Sequence, residues 1–252
     1  MCSATREQAG AARGAAVHRA LEAEVGRVRA EAGGGSPRVL DVGGGSGTWA
    51  VPLAAAGCTV TVVDTSPNAL ATLARRAREA GVTERVTPVQ GDVDALADLV
   101  PAGGADLVLG HGLLEVVDDP RAALAGLAAA AATGGAVSVL TVGRHGAFLS
   151  RVMAGRLAEA RRLLVDPDGC AGPEDPLRRR FDPVTLGELA GGVPSLRVEL
   201  LQGDGTLDGW WPGPSGDGET TPREINELDE LASAVPALGA VAPRLHLLAR
   251  RQ

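Results

Sequence analysis

The chain has 252 residues, of which 45% are hydrophobic and only 2% aromatic, so a core must be built from Ala, Val and Leu. That length suits one α/β domain with some elaboration. A net charge of −7 argues against affinity for nucleic acid over the whole molecule. Cys2, Cys58 and Cys170 are too scattered for a disulfide framework or a zinc site, and the absence of a leader-like or spanning apolar run leads us to expect a soluble, cytoplasmic protein with no membrane partner.

Residues 5–32 carry Val17, Leu21, Val25 and Val28 at helical spacing, which predicts an amphipathic helix, and Gly33 to Pro37 reads as a linker. Residues 1–36 are thus expected to precede a domain over 37–252. From there strands and helices alternate. Strands are expected at Arg38–Val42, Thr59–Val63, Val86–Gln90, Ala105–Leu109 and Gly135–Val142. Helices are expected at Thr48–Gly57, at Pro67–Ala80 with Ser66 or Asp64 as cap, and at Pro120–Ala132. Such alternation predicts an α/β fold, doubly wound and Rossmann-like, with a mostly parallel sheet and helices on both faces.

The pattern changes after Val142. Residues 144–181 hold eight arginines against five acids in a protein that is acidic overall. A segment in this crossover is placed to cover the carboxyl ends of the strands, where such folds bind ligands. Asp182-Pro183 starts a further helix, Leu196–Leu201 reads as a strand, and residues 203–222 as a Gly/Pro-rich loop. A helix over Ile225–Val235 and a strand over Leu245–Ala249 close the chain.

The most informative stretch is Val39-Leu40-Asp41-Val42-Gly43-Gly44-Gly45-Ser46-Gly47. A strand ends in an aspartate and a glycine-rich turn, and a helix comes next. Such a turn brings a nucleotide-like ligand against bare backbone. Pyrophosphate at the helix N-terminus would meet Asp41 as a like charge, whereas the ammonium and sulfonium of S-adenosylmethionine would be attracted. The glycines also depart from the dinucleotide pattern, with Thr48 at the last glycine position. Asp64 ends the second strand and Asp92 comes just after the third, so three aspartates converge at one sheet edge. Asp64, with Thr65 beside it, suits ribose hydroxyls; Asp92 suits the adenine amino group, with Val93 against the ring. Either aspartate alone equally suits a turn or helix cap.

With these residues in place, the chain resembles the class I S-adenosylmethionine-dependent methyltransferases over residues 37–142. The resemblance implies a seven-stranded sheet with an antiparallel last strand. It implies a cofactor cradle at Asp41, Gly43, Gly45, Asp64, Thr65, Asp92, Val93 and Gly110. Leu109-Gly110-His111-Gly112-Leu113-Leu114-Glu115-Val116, then Arg144-His145-Gly146, Val152-Met153-Ala154-Gly155 and Leu245-His246-Leu247, look more narrowly like the bacterial tRNA 5-carboxymethoxyuridine methyltransferases and their actinobacterial relatives. Those enzymes esterify an acid on a wobble uridine.

A carboxylate acceptor is anionic at neutral pH and needs an anchor rather than a base. Arg144 is expected to supply it, with Arg151 second. His111 and His145 are candidates to bond an acceptor oxygen or to serve as base, and Trp210-Trp211 to stack on the acceptor. Three readings stay open: methylation of an acid, tRNA-borne or small; O- or N-methylation of a small molecule in secondary metabolism with His111 as base; and a non-catalytic S-adenosylmethionine-binding homologue. No metal role is expected.

Overall fold

The computed structural model describes residues 15–31, 33–207 and 221–252. The expected alternation is present: α1 (Ala15–Glu31), β1 (Arg38–Val42), α2 (Ala50–Ala55), β2 (Thr59–Asp64), α3 (Pro67–Glu79), β3 (Val86–Gln90), α4 (Leu96–Leu99), β4 (Ala105–His111), α5 (Pro120–Ala130) and β5 (Ala131–Val142). The seven strands form one sheet in the order β3-β2-β1-β4-β5-β7-β6, where β6 is Leu196–Asp204 and β7 is Arg244–Arg251. β1 pairs in parallel with β2 and β4, and β2 with β3. Crossovers that run one way from β1 and the other way from β4 leave a switch point between these strands, at their carboxyl ends.

Local chemistry accounts for these elements. The last four residues of β1 are buried, as expected for a parallel strand covered on both faces. β3 is a sheet edge, which tolerates Pro88 and its missing donor. Ser66 accepts from the Ala69 amide at the start of α3, and Asp119 accepts from the Arg121 and Ala122 amides at the start of α5. In both helices a proline occupies the first turn. The core is aliphatic: Leu73, Leu107, Leu109, Leu124 and Leu127 are all fully buried.

Contacts divide the described chain into two units. The larger is Leu21–Val139 with Glu188–Glu199 and Leu248–Gln252; the other is formed by the segments before Leu21, Leu140–Gly187 and Leu200–Leu247. In the larger unit, Glu24 of α1 accepts from both Arg27 and Arg250, and Arg250 also donates to Glu199 at 2.6 Å. This network ties α1 to the two last strands. It is largely buried, Glu24 being 4% exposed.

In the second unit, residues 144–181 contain two helices, α6 (Arg144–Met153) and α7 (Leu157–Val165). Then come α8 (Pro183–Gly191), capped by Asp182 through the Val184 and Thr185 amides as its Asp-Pro start implies, α9 (Pro222–Ala234) and α10 (Pro236–Gly239). Arg244 pairs with Asp204 at 2.7 Å, and Gln202 with His246 at 3.1 Å. These pairings run in opposite chain directions, so β7 is antiparallel to β6, in agreement with the expected reversed last strand. Trp210-Trp211 lie outside the described residues.

Candidate functional site

The residues just past each central strand build the site. After β1 the chain turns through Gly43 and Gly45 with φ of 73° and 56°, a left-handed backbone that side chains resist. Beneath that turn lies Asp41, fully buried between Val62 of β2 and Leu109 of β4. After β2, Asp64 accepts from the Gly45 amide at 2.9 Å and from the Ser66 amide at 2.8 Å. It thereby pins the glycine turn to the start of α3. After β3, Asp92 accepts from the Asp94 amide at 3.1 Å and starts a short 3-10 turn. Both aspartates thus do the capping work that was the plainer reading of each. A carboxylate oxygen with one donor still has acceptor capacity for another.

These turns enclose a cavity of about 320 Å³ at the carboxyl ends of the strands. Gly43, Asp64, Thr65, Asp92 and Val93 all line it. Gly45 reaches the site only through its amide to Asp64. Gly110 is not in the lining; a side chain there would meet Leu127 of α5, so its smallness serves helix packing. The segment after β4 contributes Gly112, Leu113, Val116, Val117 and Asp118, which the motif reading missed. The signal was present, since this stretch comes directly after His111. Asp64, Asp92, Asp94 and Asp118 give the lining four carboxylates and, among the described residues, no arginine. Such a lining attracts a cationic ligand and repels pyrophosphate.

Asp41 adds to this. Neither carboxylate oxygen has a hydrogen-bond partner, and burial, with the nearby Asp64 charge second, pushes the group up to about 7. His111, at the end of β4, bonds through Nε2 to the buried Ser138 hydroxyl at 2.8 Å. Trp49 meets the same ring edge-on, with centroids 4.8 Å apart and planes at 86°. Trp49 and Ser138 had no motif to announce them; a residue just after the glycine turn and one within β5 converge on His111 only through the sheet.

Arg144 and His145 belong to the second unit, where both side chains meet backbone carbonyls. The Arg144 guanidinium donates to the carbonyls of Leu163 at 2.6 Å, Leu164 at 3.0 Å and Asp166 at 2.5 Å. It therefore closes the C-terminal end of α7, where helix carbonyls lack partners and a cation is favoured. An arginine engaged in this way is a clamp on its own unit. His145 Nδ1 lies 3.2 Å from the Ala240 carbonyl oxygen, and the next residue, Gly146, packs against Ala242 so closely that a Cβ would overlap its carbonyl oxygen. The Arg144-His145-Gly146 block is thus explained by packing of α6 against the segment before β7. Arg151 pairs with Glu159 at 2.8 Å and stays about a third exposed. Among the described residues no group of three or more His, Cys, Asp or Glu could hold a metal ion, and no helix is long and apolar enough to cross a membrane.

A glycine turn over a buried acid, an aspartate after each of two further strands, and a cavity at the switch point together mark a doubly wound domain with an acidic ligand cavity. Residues 39–135 match the family model described as a methyltransferase domain. The tRNA 5-carboxymethoxyuridine methyltransferase of Escherichia coli strain K12 is 29% identical over 160 residues, which are 61% of this chain and 60% of that protein. The ubiquinone biosynthesis O-methyltransferase of Caulobacter sp. strain K31 is 37% identical over 107 residues, 42% of this chain and 41% of that one. The chain thus spans about 60% of the length of the first of these relatives and less of the second. Among solved structures, the magnesium protoporphyrin IX methyltransferase from Synechocystis PCC 6803, crystallised with S-adenosylhomocysteine, superposes with a TM-score of 0.57 at 15% identity, covering 93% of this chain and 83% of that one. At that identity the likeness is one of fold.

Proposed function

We propose that this protein is an S-adenosylmethionine-dependent methyltransferase acting on a carboxylate, either a small acid or one carried on a tRNA. The observation that carries the cofactor half is the acidic, glycine-floored cavity. When bound, the cofactor supplies an electrophilic methyl group on a sulfonium. The chain's own residues do the holding: Asp64 accepts from ribose hydroxyls, Asp92 accepts from the adenine amino group with Val93 on the ring, and Gly43 to Gly45 let the methionine part lie against backbone. Alignment of donor and acceptor then accounts for several kcal/mol of barrier lowering.

The acid half is supported by the 29% identical relative named for carboxymethoxyuridine. A second reading is favoured by one observation. The His111 ring is held by Ser138 and Trp49 at the end of β4, an arrangement that suits a positioned base for a hydroxyl acceptor.

Both readings are tested with methyl-labelled cofactor, purified protein, and tRNA and metabolite fractions from a strain lacking the gene. An ester releases labelled methanol under mild alkali. Label that resists alkali refutes the carboxylate and favours the hydroxyl reading. Label that enters only the small-molecule fraction refutes tRNA as acceptor.

A further inference from the structure

Asp41 sits where an ionised carboxylate has no support. It is 0% exposed, and neither oxygen meets a donor. Its carboxyl faces the underside of the glycine turn: a Cβ built on Gly44 would lie 2.5 Å from it. The glycine therefore leaves only a thin layer of backbone between this acid and whatever lies over the turn. Toward its end of the sheet stand Asp64 on β2, His111 on β4 and Arg76 on α3; Arg38 and Asp106 pair with each other at the opposite ends of β1 and β4, Arg75 pairs with Glu79 on the exposed side of α3, and Arg78 is exposed near the end of that helix. The Arg76 guanidinium is held at 3.1 Å by the Ser46 carbonyl. Of these, Asp64 acts on Asp41, and it favours the protonated form, as burial does. A cation arriving over the turn acts in the opposite sense and favours the ionised form.

We propose that Asp41 reads the charge of the cofactor: protonated in the ligand-free protein, it releases its proton when the cationic ligand settles over Gly43–Gly45, so that binding is selective for a cation and strengthens as pH rises. This rests on the S-adenosylmethionine reading of the cavity. The step breaks the O–H bond of the Asp41 carboxyl, passes the proton to the buffer, and leaves a carboxylate that acts on the ligand cation through the glycine backbone between them. Asp41 is here a specificity and positioning residue and takes no part in methyl transfer.

Titration calorimetry with S-adenosylmethionine, S-adenosylhomocysteine and adenosine, each in two buffers of different ionisation enthalpy, tests the idea. With the Asp41 carboxyl pushed up to about 7, about one proton should leave per cationic ligand at pH 6 and almost none at pH 8. The apparent affinity should tighten about tenfold between those values. Adenosine, which carries neither cation, should release no proton. Release with both cationic ligands assigns the effect to the ammonium, which both retain; release with S-adenosylmethionine alone assigns it to the sulfonium. Asp41→Asn should abolish the release and flatten the pH dependence. Binding without proton release in the wild type, or release that persists in Asp41→Asn, overturns the inference while the cofactor reading stands. No binding of any of the three ligands overturns the cofactor reading itself. If Asp41→Asn does not fold, the wild-type buffer comparison with adenosine as control still decides.

Discussion

Arg144 offers the sharpest test of what the tertiary structure adds. Replacing it with alanine removes the three short hydrogen bonds from its guanidinium to the carbonyls of Leu163, Leu164 and Asp166. A hydrogen bond to a charged group contributes about 1.5–3 kcal/mol, and neighbouring bonds from one fork are not additive. The bond to the Leu164 carbonyl is exposed, so that carbonyl regains water. The expected net loss is about 2–3 kcal/mol for the variant. For a chain of this size, that lowers the melting temperature by about 4–12 °C. Arg144→Lys should recover only part of it, because an ammonium is a point donor and cannot span three carbonyls at once. Differential scanning calorimetry of wild type, Arg144→Ala and Arg144→Lys is the assay, with S-adenosylhomocysteine affinity measured alongside and expected to be unchanged. If Arg144→Ala melts with the wild type yet loses methyl transfer, the clamp is refuted and the arginine returns to the role of acceptor anchor.

Asp64→Ala should weaken S-adenosylhomocysteine binding by about 1–3 kcal/mol, the scale for a charged hydrogen bond left unmade; unchanged calorimetric affinity would rule out the ribose assignment. Gly146→Ala forces a methyl group onto the Ala242 carbonyl, so a loss of about 1–3 kcal/mol is expected from overpacking, read as a lower melting temperature; wild-type melting would mean that α6 shifts freely. The Glu24 network predicts a pH signature. Burial raises the Glu24 carboxyl, but the hydrogen bonds from Arg27 and Arg250 outweigh it and hold the group below its ordinary 4.5. A depressed carboxylate stabilises fully above its unfolded value and loses that contribution as pH falls through the folded one. The melting gap between wild type and Glu24→Gln should therefore be widest near pH 7 and close in acid; a gap that grows as pH falls would contradict the assignment.

Much of this protein was legible from local chemistry. β1, β2 and β4 announced themselves because a buried parallel strand must be a short apolar run, and α3 and α5 because Ser66-Pro67 and Asp119-Pro120 are capping pairs with few other uses. The glycine turn was legible for a related reason: left-handed backbone at Gly43, Gly45 and Gly47 leaves few alternatives to glycine. Asp64, Asp92 and Val93 were equally readable, since a residue just past a parallel strand falls at the same sheet edge whatever the rest of the chain does. The sheet order, and with it the convergence of Trp49 and Ser138 on His111, was decided only by strand pairing, which links residues with no common motif. Arg144 shows the same limit from the other side. Its charge and its place after β5 suited an anchor, yet its fate depended on α7 ending beside it, and the free carbonyls of a helix end are invisible until the helix is placed. Asp41 needed both levels: the aspartate before the glycines was plain in the chain, but only the packed sheet removed every donor from its oxygens and turned an ordinary acid into one that titrates near neutrality.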